Sequence, residues 1–250
     1  MTVLHSDAPR AVRSLAVPRG AATPVLRFTL AAFIGAAGVA LVSMAVFSAD
    51  MAQGIAAVLV YLCAAALAGA GIVRSYPHDA LGMGNLVTLL RLVLTAPLVV
   101  PLLTGGAMQW QVFALAAVAL SLDGVDGWLA RKQRLTSAFG ARFDMEVDAG
   151  LGLLLALNAF AAGTAGPAVF LLGAPRYVFV ALGLVLPWLA RPLPDSLGRK
   201  LVCVIQIGVL IGVQPPIVPG AVAATAITIA TLALIWSFGR DTLWLWRQRA

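Results

Sequence analysis

The chain has 250 residues, 61% hydrophobic and only 11% charged, where a soluble domain carries roughly 25% charged residues. That balance excludes a water-soluble globular domain and describes a polytopic membrane protein. The formal charge of +7 does not point to nucleic acid, because the basic residues sit in short loops and tails between apolar runs.

Residues 1–25 read as a polar cytoplasmic tail carrying Arg10, Arg13 and Arg19. A basic stretch before an apolar run has the outline of a signal peptide. The run from Phe28 to Phe47 is nonetheless long enough to span a bilayer, so an uncleaved first helix is expected. Runs of about 20 apolar residues fit transmembrane helices. Eight are expected, near 26–48, 52–73, 85–104, 108–131, 139–163, 168–190, 200–214 and 219–239.

The first two spans, within 26–74, read as an added hairpin in which Gly35, Gly38, Gly69 and Gly71 allow close helix packing. The remaining six, within 84–240, form an all-α core. Breakers punctuate it at Gly166-Pro167, at Pro192-Leu193-Pro194, and at Pro215, Pro216 and Pro219. Residues 241–250 read as a cytoplasmic tail, with Trp244, Trp246, Arg247 and Arg249 as an interfacial anchor. Cys63 and Cys203 lie in apolar segments without metal-ligand spacing and are expected as small packed residues.

Basic residues alternate between connections. They crowd the N-terminal tail, the segment after the second span, the fourth and sixth connections and the C-terminal tail. The connections near 49–51, 105–107, 164–167 and 215–218 contain none. By the positive-inside rule, both termini and the polar centre of the chain face the cytoplasm, and a plasma (inner) membrane location is expected. Two arginines, Arg91 and Arg176, fall inside spans. A buried arginine needs a carboxylate or a polar cavity, so each is either an ion-pair partner or an anion contact, and the anion contact is preferred.

Five of the chain's ten acidic residues lie between Asp123 and Asp148, in the pattern Asp-x2-Asp-Gly-x2-Ala-Arg-x8-Gly-x3-Asp-x3-Asp. Its fixed residues are Asp123, Asp126, Gly127, Ala130, Arg131, Gly140, Asp144 and Asp148. Asp123 and Asp126 share one face of the fourth span, and Asp144 and Asp148 one face of the fifth. An antiparallel hairpin would bring all four together. Oxygen-only ligands suit hard divalent cations, Mg²⁺ or Mn²⁺, and two ions could be shared among them. No histidine or cysteine is near, which argues against zinc. Gly127, Gly140 and Ala130 would leave room for a nucleotide, and Arg131 could hold a phosphate oxygen. Glu146 points to another face, as a supporting or dimer-contact residue.

The string resembles the signature of the CDP-alcohol phosphatidyltransferases at every defined position, and the resemblance covers roughly residues 84–240. Asn85, Thr88 and Arg91 match the start of that family's first core helix. The resemblance implies displacement of CMP from a CDP-linked lipid, CDP-diacylglycerol, by a small polar alcohol. It implies that Asp123, Asp126, Asp144 and Asp148 bind two divalent ions and that Asp148 is also the general base. It places Asn85, Thr88, Gly127, Ala130, Arg131 and Gly140 around nucleotide and phosphate, and it implies a homodimer. Ser196-Leu197-Gly198-Arg199-Lys200 with Gln206 is similar to a segment of phosphatidylglycerophosphate synthases. Arg91, Arg176, Arg199 and Lys200 would then meet a phosphorylated acceptor, glycerol 3-phosphate. Val202, Cys203, Met145 and Ala149 depart from that subfamily's pattern, and inositol phosphate would need the same cations. A neutral alcohol is a further alternative. Intramembrane aspartates also line cation transporters, but the paired glycines, alanine and arginine at these spacings have no place in one.

Overall fold

The computed structural model describes residues 22–105, 108–190 and 196–248. Most of the expected N-terminal tail and the Pro192-Leu193-Pro194 breaker lie outside the described residues. Among the described residues every regular element is helical.

Helices α1 (Ala22–Phe47) and α2 (Met51–Ser75) form an antiparallel hairpin. Ser48 turns the chain in the left-handed region, with φ 52°. Asp50 and Gln53 then close a reciprocal capping box that satisfies two free amides at the start of α2. Helix α3 (Met83–Leu103) is the central element, with 61% of its most apolar stretch buried against 22% for α1 and α2. It is α-helical to Thr95 and tightens into a 3-10 turn at Ala96–Val99, where Pro97 has no amide to donate.

Helix α4 (Gln109–Gln133) packs along α3 and ends at Arg134, which takes a left-handed conformation with φ 54°. The amides of Arg134 and Leu135 return to the last carbonyls of α4, closing its end. Ser137 then caps α5 (Ala138–Ala161) by accepting the Gly140 amide at 3.0 Å. Next come α6 (Pro167–Gly173) and α7 (Pro175–Val185), which meet at a bend of 63°. Pro175 cannot donate to the preceding turn, so the helix breaks there. Helices α8 (Leu197–Gly212) and α9 (Gly220–Arg247) complete the chain and pack together.

Five helices are long and apolar enough to cross a membrane (α1, α2, α3, α4 and α9), and α6 with α7 makes a sixth if the bent pair is one span. The chain is an integral multi-pass membrane protein. All eight expected segments are helical, with three departures from straight apolar spans. The sixth is bent. The fifth, α5, carries Asp144, Glu146 and Asp148. The seventh, α8, has 16 residues, short of a full bilayer crossing. The last helix continues past residue 240 to Arg247, taking in most of the expected tail. Cys63 and Cys203, expected as packed residues, are both exposed, because an apolar helix shows apolar side chains to lipid as readily as to its neighbours.

The hairpin leans on α3 and α5 through its glycines. A Cβ on Gly35 would stand 2.1 Å from the Tyr61 hydroxyl and 3.1 Å from Val93. One on Gly71 would stand 2.9 Å from the ring of Phe139. Gly38 is nearly as tight against Val93, whereas Gly69 has ordinary clearance from Phe28. Gly35→Ala is therefore expected to lower stability by about 1–3 kcal/mol through overpacking. Gly54→Ala, whose Cβ meets nothing within 4 Å, should hold or raise it. Thermal unfolding in detergent checks the order, and equal midpoints for parent and Gly35→Ala would refute it.

Candidate active site

Three residues on α3, Asn85, Thr88 and Arg91, recur every third position and share the face turned to α4 and α5. Gly84 sets how close that face comes. A Cβ there would lie 2.9 Å from the Asp126 carbonyl and 3.1 Å from the Ala130 methyl. Glycine is what lets the start of α3 meet α4 at Asp126.

Arg91 is fully buried, and its guanidinium sits among all four aspartates of the motif. Its Nη1 lies 2.8 Å from Asp123 and 3.0 Å from Asp126, and also pairs with Asp144, while Nη2 pairs with Asp148. Its Nε donates to the Ala119 carbonyl at 3.2 Å. Thr88 is within hydrogen-bond reach of Asp126, at 3.2 Å, and of the Gly84 carbonyl at 3.1 Å. Side-chain exposure sorts the carboxylates: Asp126 is 6% exposed, whereas Asp123, Asp144 and Asp148 are 31%, 36% and 33% exposed. The site is thus closed behind Asp126 and open on the other three.

The motif's small residues fall where contact is close. A Cβ on Gly140 would lie 3.0 Å from Asn85 Oδ1, and one on Gly127 would lie 3.3 Å from Arg131 Nη1. Arg131 is exposed in the last turn of α4. The remaining basic residues expected at the acceptor are placed as follows. Arg91, expected as an ion-pair partner or an anion contact, pairs with the four carboxylates, because α3 crosses α4 and α5 at the height of the motif. Arg176 at the start of α7 pairs with Glu146 of α5, so both have a partner that neither spacing nor periodicity names. Arg199 pairs with Asp241 of α9 at 3.1 Å. Lys200 is exposed.

Four carboxylates and one guanidinium leave a formal excess of three negative charges. Oxygens of Asp123, Asp126 and Asp144 lie within 4.8 Å of one another, close enough to share one metal ion. An all-oxygen set with excess negative charge fits a hard divalent cation, and Arg91 already marks the point as one that draws positive charge. The sequence hint to Arg91's role was an arginine inside a span that precedes two spans carrying two aspartates each, a charge imbalance that a cross-helix pair resolves. Tyr76, in the linker before α3, gave no such hint, although its hydroxyl bonds Asn85.

Replacing Arg91 with Ala leaves the carboxylates facing one another in a partly dry site, and loss of one member of a buried ion pair costs about 3–5 kcal/mol. Arg91→Ala should therefore melt well below the parent, and Mn²⁺ should raise its midpoint more than the parent's. Equal metal-free midpoints would show that Arg91 does not hold the site together.

Comparison with known proteins supplies the remaining piece. No curated protein and no solved structure matches the chain. The sequence model of the CDP-alcohol phosphatidyltransferase family matches residues 81–238, more than half of the chain and all of the aspartate site. Family match and clustered carboxylates agree: the chain is a membrane phosphotransferase of phospholipid biosynthesis and belongs to the CDP-alcohol phosphatidyltransferase family.

Proposed function

We propose that this enzyme transfers the phosphatidyl group of CDP-diacylglycerol to a hydroxyl of glycerol 3-phosphate, releasing CMP and forming phosphatidylglycerophosphate. The observation that carries the reading is the convergence of Asp123, Asp126, Asp144 and Asp148 on one half-open site within the family match.

Those four residues would hold two divalent ions, Mg²⁺ or Mn²⁺, which when bound neutralise the donor diphosphate and make its phosphorus more electrophilic. Asp148, on the open side, takes the proton of the acceptor hydroxyl. The freed oxygen forms a bond to the phosphatidyl phosphorus as the diphosphate bridge breaks, and the electron pair leaves with CMP. Gly127, Ala130 and Gly140, with Asn85 and Thr88, line the nucleotide pocket, and Arg131 reaches a phosphate oxygen. Arg91 holds the carboxylates in register and in this reading gives up its expected contact with the acceptor. Arg176, Arg199 and Lys200 provide positive charge for a phosphorylated acceptor.

The alternation of basic and bare connections supports eight spans, with a hairpin at 26–74, the catalytic core at 84–240, and both termini and the site on the cytoplasmic face of the plasma membrane. The working unit is proposed to be a homodimer, in line with the family resemblance.

Purified protein given CDP-diacylglycerol, Mg²⁺ or Mn²⁺ and glycerol 3-phosphate should release CMP, and EDTA should stop it. Release with inositol phosphate or a neutral alcohol but not glycerol 3-phosphate would replace the acceptor. Release with no acceptor at all would overturn the transfer. Asp148→Asn, which keeps an oxygen for Arg91, should cut turnover by about 10²–10⁴-fold while the protein still folds; full activity would remove Asp148 as the base. Arg176→Gln should raise the acceptor KM and leave the donor KM unchanged.

A further inference from the structure

Tyr76 lies in the linker between the hairpin and α3, outside the segment the family model matches. Its hydroxyl has one hydrogen to give and can accept two, and all three valences are used. It donates to the Ala80 carbonyl at 3.0 Å and accepts the Gly82 amide at 3.1 Å and the Asn85 side-chain amide at 3.3 Å. Asn85 is buried, and its other amide atom, Oδ1, stands against Gly140.

The ring of Tyr76 is itself held. It meets Phe139 edge-on at 5.7 Å and His78 at 5.5 Å. Phe139 is pinned by Gly71 of α2 and stacked on Phe143, which meets Phe28 of α1. His78 Nε2 lies 3.1 Å from the Thr136 carbonyl in the α4–α5 connection, and Gln133 accepts the Met83 amide at 2.8 Å. Contacts therefore run from both hairpin helices through Phe139 and Tyr76 to one side chain, Asn85, on the wall of the site.

We propose that Tyr76 is a positioning residue through which the N-terminal hairpin fixes Asn85 against Gly140 and so sets the shape of the nucleotide pocket. The inference rests on the reading of Asn85 and Gly140 as pocket residues. It assigns the hairpin a role in donor recognition rather than in anchoring alone. Without the Tyr76 hydroxyl, the Asn85 amide loses the partner that fixes its orientation, and its Oδ1 no longer faces Gly140 in one fixed pose.

The test is a double-mutant cycle on the full-length enzyme with CDP-diacylglycerol and Mg²⁺. Tyr76→Phe keeps the ring contacts and removes one oxygen. It is expected to raise the donor KM about three- to tenfold, the range for loss of the one hydrogen bond to Asn85. The acceptor KM should stay unchanged, and the unfolding midpoint should fall with the lost bonds to Ala80 and Gly82. In an Asn85→Ala background, Tyr76→Phe should have no further effect on the donor KM, the non-additivity that marks two residues acting as a unit. Should Asn85→Ala raise the donor KM while Tyr76→Phe does not, or should the two effects add, the positioning role is overturned and the pocket stands. A donor KM unmoved by Asn85→Ala would overturn the pocket reading and the proposal with it.

Discussion

One buried guanidinium faces four carboxylates contributed by two other helices, and the arrangement of α3, α4 and α5 answers to that electrostatic demand. Charges this close in a low-dielectric interior interact strongly, and their desolvation is costly unless each finds a partner. The chain meets the condition by bringing α3 into near backbone contact with α4 at Gly84, which places Arg91 at the height of the motif. Much else follows. Asp126 is buried because it lies on the α3 side, and Thr88 finds it there. Asp123, Asp144 and Asp148 are each about a third exposed, so the excess negative charge lies on the open side of the site.

Much of this was legible in the residues alone. Apolar run length located the helices, since run length is the quantity a bilayer constrains. The spacing of the aspartates grouped them into two same-face pairs, because periodicity within a helix is rigid. The family followed from that spacing together with the glycines, the alanine and the arginine around it. What escaped were relations between helices. Nothing in the run containing Arg91 says how α3 is rotated against α4, so the residues alone could name an ion pair as one reading but not a pairing with all four carboxylates. Arg176 and Arg199 found carboxylates on other helices for the same reason. Which face of α2 or α8 meets lipid is likewise silent in hydropathy, which is why Cys63 and Cys203 were misplaced. A proline announces a break but not its size, and the 63° bend at Pro175 could not be read in advance.

On the role proposed for Tyr76, a segment outside the residues matched by the family model helps to shape the site. Besides its direct packing on α3 at Val93, the hairpin reaches Asn85 through packed rings and one hydroxyl, with Phe28, Phe139 and Phe143 as the intermediates. Its glycines matter because they let those rings sit close to the helix backbones.

Chain order gives the pairing of Arg91 a consequence for biogenesis. α3 leaves the ribosome before α4 and α5, so the arginine is in place before any of its four carboxylates has been made. A lone arginine in a nascent span carries a penalty of a few kcal/mol on insertion scales, and the leucines and valines around it offset the cost. The aspartate-bearing helices then arrive beside a counter-charge already waiting. Chain order thus makes the arginine of α3 available as a counter-charge by the time the two acidic segments enter the membrane.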